Sequence, residues 1–237
     1  VPFFQLYHPL KRNQPVQINA LLQDSKGFVW FGGDNGLFRF DGSAYHQYKE
    51  ADTMKNIRVT ALAEDSLGRI WVGHENGHLS YLENGGLHLF VTPEGAAVAP
   101  ISDIIFDRNG VMWFSTMSDG LYYYINGRLY RVDEAEGLPD LFLYDLFEDA
   151  QGRIWAGTDR GIAICSLKDR KITIEVVDDG LPDIIIKKIK PLSGDTVSLA
   201  TEDAGILNYN LKTHRFKHLT GAPWGHGSIS DFVVKEN

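Results

Sequence analysis

Four tryptophans, Trp30, Trp71, Trp113 and Trp155, recur at intervals of 41, 42 and 42 residues, and the text around each nearly repeats. The copies read DSKGFVWFGGDNGLFRF, DSLGRIWVGHENGHLSY, DRNGVMWFSTMSDGLYY and DAQGRIWAGTDRGIAIC. A fifth, eroded copy, SGDTVSLATEDAGILNY, is read with Leu199 in the tryptophan's place and without the Asp-x-x-Gly turn. A short apolar stretch precedes each copy, beginning at Ile18, Val59, Ile101, Leu143 and Ile186, and a sixth begins at Ile229. A period in the low forties is the signature of a repeat architecture.

Within one period lie four short apolar segments, in the first copy Ile18–Gln23, Phe28–Phe31, Leu37–Phe40 and Tyr45–Tyr48, here strands a to d. They are too short for helices and rich in β-branched and aromatic residues. Asp24-Ser25-Lys26-Gly27 separates a from b with turn chemistry: the Asp caps backbone N–H groups and the Gly takes positive φ. Around each tryptophan the apolar residues are continuous, as in Ile70-Trp71-Val72, which marks a strand covered on both faces. Leucine-rich repeats have shorter periods, and helical arrays would show a 3.6 period. The expectation is an all-β propeller of four-stranded antiparallel blades.

Its blades are expected at 18–48, 59–90, 101–132, 143–177 and 186–219. A strand d over 3–7 and a strand a over 229–234 are expected to belong to further blades. Five blades and two orphan strands fall short of seven, so the chain is expected to form an open arc, part of a seven-bladed ring. Open strand edges favour self-association or contact with other domains of the same protein. Any leader or anchor is expected to lie outside the chain, where no apolar run approaches the roughly 20 residues that span a bilayer.

The repeated string Asp-x-x-Gly-x-x-Trp-x-Gly-x-x-x-Gly-Leu resembles the two-component regulator propeller repeat. The best copy runs from Gly137-Leu138-Pro139-Asp140 through Glu148-Asp149 to Trp155-Ala156-Gly157-Thr158 and Gly161-Ile162, and a second Gly-Leu-Pro-Asp begins at Gly180. Gly33, His74 and Thr116 alter the Gly-Thr pair in other copies, and His78 replaces the usual Leu. The resemblance implies the periplasmic sensor region of a membrane-anchored receptor, with a histidine kinase or other output module elsewhere. It also implies an oligosaccharide signal and no catalysis within this segment. The same turn resembles the Asp box of sialidase-type propellers, a structural hairpin, which favours structural roles for Asp24, Asp65, Asp107 and Asp149.

Other chemistry finds little support. A glycosidase needs two carboxylates facing one substrate about 5–9 Å apart, whereas Glu64-Asp65 and Glu148-Asp149 recur at a turn. Asp107-Arg108-Asn109-Gly110 lacks the later ligands of a calcium loop. His74 and His78 straddle a turn, so no zinc geometry follows, and the histidines are expected to be scattered in solvent. No Gly-x-Ser-x-Gly elbow occurs, the glycine pairs lack the context of a phosphate loop, and Cys165 reads as an inert buried thiol. The repeated tryptophans read as interblade core rather than a sugar platform. No cofactor, metal or catalytic residue is expected. A net charge of −8 disfavours nucleic acid. Ligand binding is expected in the variable d-to-a loops, where Trp224 and His226 form the candidate for stacking on a sugar ring, with packing of Trp224 against an adjacent blade or domain as the favoured alternative. A purely structural propeller half and a propeller lyase or glycosidase are the alternatives.

Overall fold

The computed structural model describes residues 17–48, 57–177, 184–192, 195–219 and 227–234. They form a β-propeller of five four-stranded antiparallel sheets. Blade 1 comprises β1 (Ile18–Gln23), β2 (Val29–Gly33), β3 (Gly36–Phe40) and β4 (Tyr45–Tyr48). Blade 2 comprises β5 (Val59–Glu64), β6 (Ile70–His74), β7 (Leu79–Glu83) and β8 (Gly86–Phe90). Blade 3 is built from β9 (Ile101–Phe106), β10 (Met112–Thr116), β11 (Leu121–Ile125) and β12 (Arg128–Val132). Blade 4 holds β13 (Leu143–Glu148), β14 (Ile154–Thr158), β15 (Gly161–Lys168) and β16 (Lys171–Val177). Blade 5 holds β17 (Ile186–Pro191), β18 (Thr196–Thr201), β19 (Ile206–Asn210) and β20 (Arg215–His218). The first strand of each blade packs beside the first strand of the next, around a central channel.

The hydrophobic core consists of four slabs, one between each pair of successive blades. Blades 1 to 4 each offer a trailing face, carrying the tryptophan, to the leading face of the next. Trp113, Leu121 and Tyr123 thus meet Leu143, Leu146, Ile154, Ala156 and Cys165. Trp71 and Leu79 meet Ile101, Ile104, Met112 and Phe114 in the same way. The glycine two residues after the tryptophan follows from this packing. A Cβ on Gly73 would lie 2.6 Å from the Ile101 side chain, and one on Gly157 would lie 2.6 Å from the Ile186 carbonyl oxygen. The next blade's strand a passes too close for a side chain at these glycines, whereas blade 3 holds Ser115 at this place, its hydroxyl 2.8 Å from that of Ser102 in its own strand a.

Register corrects the reading of the fifth copy. Trp155 stands opposite Phe147 and Ile164, and the residue in that place in blade 5 is Ser198, opposite Lys190 and Asn208. Leu199 corresponds instead to Ala156 and packs into the slab shared with blade 4. The b-to-c turn of blade 5 has one more residue than that of blade 4, Thr201–Gly205 against Thr158–Gly161, so matching the text on its glycine shifts the strand by one. Ser198 is buried and donates to Asn208 Oδ1 at 2.7 Å.

Residues 229–234, expected as a strand a, form no strand. They enter as one would: the Gly205 N–H donates to Gly227 O at 3.1 Å, as Gly161 N–H does to Ile184 O at 3.0 Å two residues before β17. The segment expected as a strand d at 3–7 lies outside the described residues.

Candidate functional site

The repeated carboxylates are structural. In blade 4, Asp149 Oδ1 accepts the N–H groups of Gln151 and Arg153, each at 2.9 Å, while Oδ2 accepts the Trp155 indole at 3.0 Å and Arg153 Nε at 2.7 Å. Asp24, Asp65 and Asp107 accept the indoles of Trp30, Trp71 and Trp113 at 2.8, 2.9 and 3.1 Å. One side chain therefore closes the turn and fixes the ring that fills the slab. Burial alone would raise the carboxyls of Asp65 and Asp149, but the indole, backbone and arginine donors outweigh it and hold both below the ordinary value. Glu64 and Glu148, beside these turns, reach the preceding blade instead. Glu64 accepts the Ser25 N–H and hydroxyl at 2.7 and 2.6 Å, and Glu148 accepts the N–H and Nε of Arg108 at 3.0 and 2.5 Å.

A polar site forms where the first strands line the channel. Every first strand is irregular at its second residue: the pairing jumps from Ile18 to Ala20, Val59 to Ala61, Ile101 to Asp103, Leu143 to Asp145 and Ile186 to Lys188. A bulge of this kind re-aims a side chain and frees it from the ladder. The five bulged residues are Asn19, Thr60, Ser102, Tyr144 and Lys187, polar without exception. Asn19, Thr60 and Ser102 line a cavity of about 270 Å³ with Asp103, Lys188 and Asp231. Thr60 Oγ1 is shielded from solvent and has no hydrogen-bond partner among the described residues. The Tyr144 hydroxyl donates to Asp159 at 2.6 Å, Lys187 Nζ lies 5.8 Å from the Tyr144 ring centroid, and Lys187 pairs with Glu202. Burial and Asp159 push the Tyr144 hydroxyl above its ordinary range, so it stays a neutral donor.

One residue further along, Asp103, Asp145 and Lys188 occupy the same register position in blades 3, 4 and 5. Asp103 Oδ2 accepts the Leu146 N–H at 2.9 Å and Asp145 Oδ2 accepts the Ile189 N–H at 2.7 Å, so each carboxylate ties its blade to the next. Asp145 also pairs with Lys188. Burial and Asp103 push the Asp145 carboxyl up, against the pull of the ammonium. Burial opposes the charge on Lys188 as well, but Asp145 and Asp103 outweigh it and raise the group to about 12.

Trp224 and His226 lie outside the described residues. His74 is not a solvent histidine as expected: it is fully buried, its Nε2 lies 2.8 Å from Ser80 Oγ, and burial lowers it to about 4. It occupies the place that Thr158 takes in blade 4, opposite the first residue of strand a. Cys165 is fully buried in the slab between blades 3 and 4, where burial pushes its thiol up to about 12. Among the described residues no three His, Cys, Asp or Glu side chains are placed to hold a metal ion. The bulge ring escaped the sequence reading, although a polar second residue in every strand a was its visible signal.

Residues 13–35, 53–76 and 137–160 match the family model of the two component regulator propeller. Three segments of the chain thus match this repeat. No curated protein matches the chain. Among solved structures, this chain is similar to the extracellular domain of a one component system from B. thetaiotaomicron, at 20% identity and a TM-score of 0.73, over 87% of this chain and 28% of that one. The extracellular domain of a hybrid two component system from the same organism gives 19% identity and a TM-score of 0.72, over 91% and 30% of the two chains. Virginiamycin B lyase from Staphylococcus aureus gives 14% identity and a TM-score of 0.69, over 86% and 70%. The chain thus spans less than a third of these two extracellular domains, and at these identities the likeness is one of fold.

Proposed function

We propose that this chain is a non-catalytic recognition propeller of a two-component-type receptor, on the outer side of the membrane, and that it takes an oligosaccharide at the channel mouth. The observation that carries this reading is the bulge ring. Three of its members, Asn19, Thr60 and Ser102, present neutral polar side chains to one cavity. Hydroxyl and amide groups that both donate and accept suit the hydroxyls of a sugar. The repeat family and the likeness to extracellular domains of such receptors support the setting. Neighbouring domains of the receptor, or a second copy, would cover the apolar face that Ile18 and Leu21 expose in blade 1.

Calorimetry against a panel of polysaccharide fragments tests the reading. Saturable binding without turnover is expected, weakened roughly tenfold by Thr60→Val, which removes a hydroxyl and keeps the volume. Cleavage of any fragment would overturn the non-catalytic reading. Intact protein that binds no fragment would leave the propeller as a scaffold for its neighbours.

A further inference from the structure

On the face formed by the a-to-b turns, the junctions between blades are not alike. The last residue of strand a is Glu64 in blade 2, Phe106 in blade 3, Glu148 in blade 4 and Pro191 in blade 5, each the final partner in its a–b ladder. Where it is glutamate, its carboxylate enters the second residue of the preceding blade's turn, Ser25 or Arg108. Blade 2 carries the same turn as blade 1, Asp65-Ser66-Leu67-Gly68 against Asp24-Ser25-Lys26-Gly27, and Asp65 closes it with the same pair of backbone bonds. Ser66 therefore presents an N–H and a hydroxyl arranged as those of Ser25. Opposite them stands Phe106, which leans on Trp71 with centroids 5.6 Å apart and offers no acceptor.

The result is a bay of about 620 Å³ between the turns of blades 2 and 3, lined by Ser66, Leu67, Arg69, Phe106, Arg108 and Asn109, with three carboxylates. Those carboxylates are already engaged: Glu64 by Ser25, Asp65 by Trp71 and Asp107 by Trp113. No described residue bonds Ser66. Leu67 is 77% exposed on the rim.

We infer that the bay between the blade 2 and blade 3 turns receives the carboxylate of a glutamate side chain carried on another protein segment. The chain itself supplies the precedent, because both occupied bays hold a glutamate from a neighbouring strand end. Charge-assisted bonds from Ser66 would hold the carboxylate, and Leu67 and Phe106 would take the apolar side chain before it, the place of Ala63 or Phe147 in the two native clasps.

Amide shifts of the labelled protein, titrated with acetylated Leu-Ala-Glu-Asp-Ser, the sequence of residues 62–66, read the site directly. Saturable shifts at Ser66 and Leu67 are expected. The peptide with glutamine in place of glutamate should bind at least about fivefold more weakly, since an ionised acceptor about doubles the bond strength. Ser66→Asp, at an exposed turn position that holds Arg or Ala in blades 3 and 4, should abolish the shifts while leaving the indole resonances in place. Phe106→Glu should do the same by filling the bay from within. Equal binding of both peptides overturns the carboxylate assignment. Equal binding of propionate alone overturns the protein segment as occupant. An absence of saturable shifts at Ser66 overturns the proposal altogether.

Discussion

The leading faces of blades 1 and 3 are built from the same pattern and meet opposite fates. In blade 3, Ile101 and Ile104 are 0% and 3% exposed beneath the tryptophan face of blade 2. At the same register in blade 1, Ile18 and Leu21 are 52% and 69% exposed. The strands pair alike, turn alike and carry the same kind of residue, so local sequence does not decide burial. A preceding blade does. Stability in this molecule belongs to pairs of blades, as nearest-neighbour models of repeat proteins hold.

The contrast can be broken most directly at its strongest point. Trp113→Ala, in the slab between blades 3 and 4, is expected to cost about 3–5 kcal/mol in denaturant unfolding, because a large ring enclosed on both sides leaves a cavity. Next, Ile104→Ala is expected to cost about 2–5 kcal/mol, whereas Leu21→Ala should stay within about 0.5 kcal/mol, as surface changes do. Equal costs at these two sites would show that blade 1 is covered in solution as blade 3 is.

Acid sharpens the comparison between blades that differ at one position. His74 is held neutral by burial, its folded value near 4 lying below the ordinary 6.5. The unfolded chain therefore takes up the proton first. The stability from His74 is complete above pH 6.5 and is lost as pH falls from there towards 4, by up to about 3 kcal/mol. His74→Thr, which installs the residue of blades 3 and 4, should flatten unfolding curves in that window. Asp65 and Asp149 act later: their lowered values keep their contribution intact above the ordinary 3.8, and it is lost only below that. A smaller effect is expected at the clasp between blades 3 and 4. Glu148→Gln should cost roughly 0.2–1 kcal/mol and fade with salt, since Arg108 is half exposed.

Much of the fold was legible because turn chemistry and the tryptophan spacing repeat. Asp24, Asp65, Asp107 and Asp149 declare themselves through the glycine three residues on, and their structural role follows from that position. What stayed hidden depends on which blade stands next. Nothing local in Asp103 or Asp145 says that each will cap a backbone N–H about 43 residues away. Nor does the pair Glu64-Asp65 announce that its first member serves the previous blade and its second its own turn. The bulge ring was hidden for another reason: a polar residue in an apolar strand reads as ordinary alternation until the pairing shows the ladder stepping past it. Likewise the offset at Ser198 arose from a single extra residue in a turn, which text alone distributes arbitrarily.

The glycine two residues beyond Trp30, Trp71 and Trp155 has a consequence for how such a molecule can change over time. Gly73 and Gly157 are dictated by a neighbour's strand, yet they lie in the blade that receives it. A duplicated unit therefore brings its own clearance for whatever unit follows. Whole periods can be gained or lost by recombination without retuning the flanking copies, while a shift of one residue inside a period, like that at Ser198, changes which side chain a neighbour meets. Copy number in this architecture is a free variable, and phase is not.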